Sequence, residues 1–175
     1  MRIAAALAAL LVAGCSPVQT VGVAEVLANC DAYKGKVVHL SGYLGDCGGY
    51  DCAIYPDLAT ARAIDSLRAE IDRLKQVRDA EGEYDRDAVR ATYERLFKTP
   101  SINVGFNPMV EPRLTPHGLR YVIISGRIDS YSCAGEGTDR AEGIAPNDVR
   151  TWTKAMGAPA DADDNTAFRP STTLH

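Results

Sequence analysis

The chain has 175 residues, an ordinary apolar share of 46%, aromatics at 7% and a formal net charge of −4. That length suits one domain, able to bury a core without depending on cross-links. The acidic balance argues against nucleic acid as a partner, because phosphate backbones are repelled, and the five cysteines form an odd count in which one must stand apart from any set of pairs.

Residues 1–14 open with a positive charge at Arg2 and run apolar from Ile3 to Val12. The run is too short to span a bilayer and has the length of a signal-peptide hydrophobic region. It ends in Val12-Ala13-Gly14-Cys15, which resembles a bacterial lipobox: a branched apolar residue, two small residues that fit a peptidase gripping an extended backbone, and a cysteine. The resemblance implies a lipoprotein signal peptide over 1–14 and lipidation of Cys15, which becomes the N-terminus carrying several acyl chains such as palmitate. At about 0.8 kcal/mol per buried CH₂, several chains make a stable membrane anchor. Ser16, by resemblance to lipoprotein sorting in enteric bacteria, implies the outer membrane rather than the inner, with the domain facing the periplasm. The competing reading is an ordinary signal peptide followed by a chance cysteine. The hydrophobic length, the small residues and the cysteine agree on the lipoprotein.

Residues 15–22 form a short tether that keeps the domain near the membrane surface, and one domain is expected over 23–156. Val23 to Ala32 reads as a short helix with Val26, Leu27 and Cys30 on one face. Gly35 breaks the turn that starts at Tyr33. Val38, Leu40 and Gly42 then alternate with His39, Ser41 and Tyr43, the period of a half-buried strand. A loop from Asp46 to Asp51, with Gly48 and Gly49, returns the chain into a short strand from Cys52 to Tyr55 that stops at Pro56.

Between about 57 and 98 the period changes from two to that of a helix. Ile64, Leu67, Ile71 and Leu74 make the stripe of an amphipathic helix capped by Asp57. Glu81-Gly82-Glu83 interrupts it, and a second helix from about Asp85 to Phe97 turns Val89, Tyr93, Leu96 and Phe97 inward until Pro100 closes it. The stripe is shorter than a dimerising coiled coil needs, so it is expected to pack within the domain. Ser101 to Phe106 reads as a strand, and Asn107 to His117, with Pro108, Pro112 and Pro116, as an irregular loop. Leu119 to Tyr131 is the longest strand signal. Gly135, Gly137 and Gly143 mark a mobile stretch. Ala145 to Met156, with Asn147 as a cap, reads as a short helix that docks Trp152 on the body. Residues 157–175 read as a poorly ordered tail.

The turn at Tyr33, Gly35 and Lys36, the strand residues Val37, Gly42, Tyr43 and Leu44, the ending Tyr55-Pro56 and the later Val122 and Gly126 resemble small bacterial lipoproteins with an OB-like domain. The resemblance covers about half of the mature chain and rests on structural motifs. It implies an α+β fold, a small OB-like partial β-barrel or antiparallel sheet with an inserted helical hairpin. It implies no assigned activity. The insertion departs from the pattern, so closure of the barrel and a last strand near Gly143 to Val149 stay open.

Four cysteines remain beside Cys15, and outside the cytoplasm they should be oxidised. Cys47 and Cys52 flank a short Gly-containing loop within disulfide reach, which leaves Cys30 with Cys133. Four cysteines allow three connectivities, and a bond from Cys47 or Cys52 to Cys133 stays open. The C-x4-C spacing is not that of a redox C-x-x-C or a zinc site. His39, His117 and His175 stand at no metal-ligand spacing. Asp46, Asp51 and Asp57 lack a calcium-loop spacing, and Ser41 and Ser125 lack a nucleophile-elbow pattern. Tyr43, Tyr50 and Tyr55 suit a stacking platform or barrel packing, but the basic groove that single-stranded nucleic acid requires is missing. No cofactor, metal or catalytic residue is expected. The expectation is a lipid-anchored, non-catalytic binding or scaffolding module with an envelope protein or small ligand as partner. Its alternatives are an envelope hydrolase or enzyme accessory subunit, and a structural protein acting through its helices.

Overall fold

The computed structural model describes residues 20–47, 51–81, 85–135, 140 and 142–153. The signal peptide with Cys15, Gly48 to Tyr50, Gly82 and Glu83, Gly137, Met156, the tail over 157–175 and His175 lie outside the described residues.

The architecture grows from two long strands of alternating pattern. Strand β2 (Val37–Leu44) and strand β5 (Arg120–Ile128) pair antiparallel along their whole length, from Val37↔Arg127 to Leu44↔Arg120. One face of each carries Val38, Leu40 and Leu44 or Val122, Ile124 and Ile128, all buried in one core. Around this ladder stand β1 (Thr20–Gly22), parallel to β2, and β3 (Ala53–Tyr55), β4 (Ile102–Asn103) and β6 (Ile144–Thr151), each antiparallel to its neighbour. The six-stranded sheet runs β4-β3-β2-β5-β6, with β1 beside β2.

The sheet curls until its two flanks meet. Val104, just past β4, bridges Ile144 at the start of β6 in parallel, and Gly105 N donates to Ile144 O at 2.9 Å. Two glycines permit the curl. A Cβ on Gly42 would stand 2.5 Å from the Tyr55 carbonyl oxygen, and one on Gly126 would overlap the Ala145 carbonyl at a β-bulge. The result is an α+β domain whose antiparallel sheet forms a partial barrel. Its interior is filled by side chains. Val23 and Val26 from α1 (Val23–Ala28) and Val110 and Leu114 at α5 (Glu111–His117) join the strand residues there.

A second apolar cluster lies on the outer face. Tyr43, Tyr55, Tyr121, Ile123 and Trp152 are buried there beneath Ala61 and Ile64 of α3 (Leu58–Glu81). Tyr121 packs edge-on against Tyr43 at 5.3 Å and against Trp152 at 6.3 Å. Its hydroxyl accepts from Leu58 N at 3.1 Å, while Asp57 accepts from Thr60 N at 2.6 Å, so the start of α3 is pinned and capped as its sequence suggests. Helix α4 (Arg86–Lys98) is capped by Asp85, which accepts from Asp87 N and Ala88 N. It joins α3 through Arg95, whose guanidinium reaches both carboxylate oxygens of Glu70 at 2.9 Å.

Several expectations are corrected. The tether does not extend to Gly22, since Thr20–Gly22 is a strand whose backbone is satisfied by pairing with β2. The helix over Val23 to Ala32 breaks at Asn29 (φ −126°, ψ 39°), leaving α1 and the single turn α2 (Cys30–Tyr33). The strand over Ser101 to Phe106 shrinks to β4 and the bridge at Val104. The proline segment holds a helix, since Pro112 sits in the first turn of α5, where a missing N–H removes no helical bond. Ala145 to Thr151 is strand β6 rather than a helix. The edge of β5 offers a full ladder with Ile144 and Val149 facing the core, which outweighs a local capping signal at Asn147. Phe97 points outward and is 62% exposed.

Gly42→Ala should cost about 1–3 kcal/mol, the range of overpacked cores, because the new methyl meets backbone. Guanidinium unfolding without reductant measures it, and an unchanged midpoint would remove Gly42 from its role in the curl.

Candidate functional site

A cleft of about 480 Å³ opens where α3 and α4 stand over the edge formed by β3 and β4, within the size range of small-molecule sites. Its walls come from four places. The first half of α3 lies on the sheet through Ala61 and Ile64. One turn further on, Arg68 leaves it and reaches Asp51 in the β2–β3 loop, Nη2 to Oδ2 at 3.2 Å. Lys75 lies over the Tyr93 ring at 5.6 Å, and Phe97 stacks on that ring at 6.0 Å with 21° between planes. The segment between β5 and β6 closes the far side with Ala134, Gly135 and Arg140.

Arg140 is the buried cation of this wall, with a side chain only 8% exposed against 24% for its partner Glu111. Its Nη1 donates to Glu111 Oε1 at 2.5 Å and its Nε to Val104 O at 3.3 Å. Its Nη2 and the Oε2 of Glu111 are buried without a hydrogen-bond partner. Burial pushes the Tyr55 phenol up from its ordinary value, with Arg68 opposing. Burial likewise raises the Asp65 carboxyl, again against Arg68.

Both stretches that carry cleft walls are held by disulfides. Cys47 is joined to Cys52 with Cα atoms 4.4 Å apart, so the β2–β3 loop is clamped beside Asp51. Cys30 is joined to Cys133 across 103 residues, Cα atoms 5.7 Å apart, tying α2 to the segment that brings Ala134 and Gly135. This connectivity leaves neither Cys47 nor Cys52 for Cys133. Asp129 folds the same segment by accepting from Tyr131 N at 2.7 Å and Ser132 N at 2.9 Å, and those bonds hold its carboxyl below the usual value.

The other residues singled out by sequence are dispersed. Asp51 pairs with Arg68, Asp57 caps α3, and Asp46 is exposed. Ser41 donates to Val21 O at 3.1 Å. Tyr43 and Tyr55 are buried under α3, so they pack rather than present a platform. His117 meets Thr151 Oγ1 at 3.1 Å, and burial, with Arg120 and Arg113 nearby, lowers its pKa. His39 Nδ1 lies 2.7 Å from Ser125 Oγ, a contact between directly opposed residues of β2 and β5. Asp148 stands opposite Ser125 on β6 and is engaged by Arg113. Among the described residues no group of three or more His, Cys, Asp and Glu side chains could hold a metal ion, and no helix is long and apolar enough to cross a membrane. Sequence reasoning missed Arg68, Lys75 and Arg140. The first two share a face with Ile64 and Ile71 at helical spacing and were legible as such, whereas nothing local marks Arg140. Comparison with protein-family models, with curated proteins and with solved structures finds no match.

Replacing Cys30 and Cys133 together by Ser should lower stability by about 4–5 kcal/mol, against about 2 kcal/mol for the Cys47–Cys52 pair, since loop-closure entropy grows with the loop closed. Guanidinium unfolding of the two double variants tests the order, and equal losses would sink the entropic account.

Proposed function

We propose that this chain is a lipid-anchored lipoprotein of a bacterial cell envelope, facing the periplasm from the outer membrane. Its OB-like barrel, with an inserted helical hairpin from α3 and α4, works as a non-catalytic binding or scaffolding module. Cys15 carries the anchor. Two disulfides suit an oxidising compartment.

The OB-like reading is supported by strand order. Leaving β1 aside, the strands follow the sequence β2, β3, β4, β5, β6, and β2 pairs with both β3 and β5 while the end of β4 meets β6 in parallel. A helix, α5, lies between β4 and β5. The observation that carries the binding reading is the place of the cleft. It lies over the second and third strands of this barrel, between the loops after its first and fourth strands, the face on which OB folds hold ligands. The apolar face of α3 is spent on the sheet, which leaves the cleft, not the helices, as the surface for a small ligand or an envelope protein segment.

The alternative, an envelope hydrolase, draws on the His39–Ser125 contact. A base beside a serine is the first requirement of an activated nucleophile.

Cys15→Ala should move the protein from the membrane to the soluble envelope fraction on fractionation of expressing cells. Retention at the membrane would end the lipoprotein reading. A fluorophosphonate probe should leave Ser125 unlabelled, and labelling lost in Ser125→Ala would establish the hydrolase instead.

A further inference from the structure

Where the chain enters the domain selects one surface. Strand β1 starts at Thr20, runs parallel to β2 and sets Thr20 beside His39. The chain therefore arrives toward the end of the barrel where β2 begins and β5 finishes. Cys15 stands five residues before Thr20, a span of at most about 18 Å. With an acylated Cys15 in a bilayer, the membrane surface passes within that reach of Thr20. Val37 is two residues from His39 along β2. The opposite end of the ladder, Leu44↔Arg120, lies about 17 Å beyond His39, and a chain doubling back would spend its whole length to reach it.

Two linked turns build the near end. Lys34, Gly35 and Lys36 lead into β2, and Asp129 to Ser132 follow β5. Gly35, at φ 69°, joins them by donating its N–H to Ile128 O at 3.0 Å. From these turns project the groups a lipid interface takes up. Val37 is 47% exposed and Tyr131 is 83% exposed, and a tyrosine, apolar in its ring and polar at its tip, suits the headgroup boundary. Lys36 and Arg127 are exposed on either side of Val37, one next to it in the chain and the other opposite it on β5. Among the described residues neither forms an ion pair, although Arg127 Nη1 donates to Gly35 O at 2.5 Å. Both carry further donors that a phosphate accepts, on stems able to lie along apolar surface.

The carboxylates of this end are Asp31, Asp129 and Glu142. Asp31 is matched by Lys34 at 2.9 Å, Asp129 accepts from Tyr131 N and Ser132 N, and Glu142 is exposed at the approach to β6. They balance Lys34, Lys36 and Arg127 in number, which favours contacts with individual phosphates over capture by a net negative charge. We propose that this end of the barrel docks on the phospholipid surface, with Val37 and Tyr131 at the headgroup boundary and Lys36 and Arg127 on lipid phosphates. The proposal rests on the reading of the chain as a lipoprotein and names the face that it turns to the membrane.

The test uses the full chain, expressed in a bacterium and reconstituted in vesicles of phosphatidylethanolamine and phosphatidylglycerol. The photoreactive residue p-benzoylphenylalanine is placed at position 37, 131 or 120, and mass spectrometry reads both the adducts formed on irradiation and the acyl mass on Cys15. Phospholipid adducts should form at 37 and 131 and be absent at 120, an exposed position at the far end of the same ladder. Combining Lys36→Glu with Tyr131→Ala, both at exposed positions, should abolish the adduct at 37 while Cys15 keeps its acyl mass. Persistence of that adduct would mean that the tether alone brings lipid near, and it overturns the proposal. An adduct at 120 as strong as at 37, or an adduct between two copies of the chain in place of lipid at 131, overturns it as well. An acylated chain with no lipid adduct at 37 or 131 ends the docking face and leaves the lipoprotein reading in place, whereas absence of acyl mass on Cys15 ends both.

Discussion

The ladder between β2 and β5 is the constraint from which the remaining architecture follows. Its inner face would be an unbroken row of branched side chains but for one glycine in each strand, and the two glycines lie toward opposite ends. Gly42 faces Val122 and lets the β3 backbone close over the inner face. Gly126 faces Val38 and lets the β6 backbone do the same from the other side. With β3 drawn in at one end and β6 at the other, the strand that follows β3 is carried round to the start of β6. The meeting of Val104 with Ile144 is the consequence. A side chain at either glycine would meet a carbonyl rather than a flexible neighbour, so the cost could not be relieved by a rotamer change.

The interior of a sheet curled this tightly is filled by its own side chains. The outer face is not neutral ground, however. Tyr43, Tyr121, Ile123 and Trp152 would form a contiguous apolar patch if left open. The start of α3 covers it, and the capping by Asp57 and the bond from Leu58 N to the Tyr121 hydroxyl fix where the helix lands. Having spent its first turns on the sheet, α3 turns its next residues to α4. The gap between that helix pair and the β3–β4 edge is the cleft. Helices α3 and α4 thus cover the outer apolar cluster and form one side of the cleft.

The parts of this plan written in local pattern were legible beforehand. Alternation at Val38, Leu40 and Gly42 marks β2, and the spacing of Ile64 and Ile71 marks α3. The flanking of a glycine loop by Cys47 and Cys52 marks their bond. What escaped depends on partners distant in the chain. Strand β6 carries a plausible helix cap at Asn147, and only the vacant edge of β5 turns it into a strand. Helix α5 hides behind prolines that a loop also tolerates. Phe97 falls on the apolar stripe of α4 by spacing, yet Val89 and Thr92 are buried and Leu96 packs on the outer cluster while Phe97 stays uncovered. Arg140 was invisible for the same reason. Its burial comes from Glu111 and the Val104 carbonyl, both far from it in sequence.

The cleft also shows why two disulfides serve a domain large enough to hold a core without them. The stretch from Ile128 to Ile144 has no strand or helix of its own among its described residues, so the order of those residues depends on cross-links and individual hydrogen bonds. Three contacts hold its described residues. Cys133 anchors the segment to α2, Asn103 N donates to Ala134 O at 2.9 Å, and Asp129 folds its beginning. The opposite wall is treated alike, with Cys52 bonded to Cys47 and Asp51 held by Arg68. Each disulfide therefore acts next to the cleft rather than within the ladder, which is already fixed by its own pairing and packing.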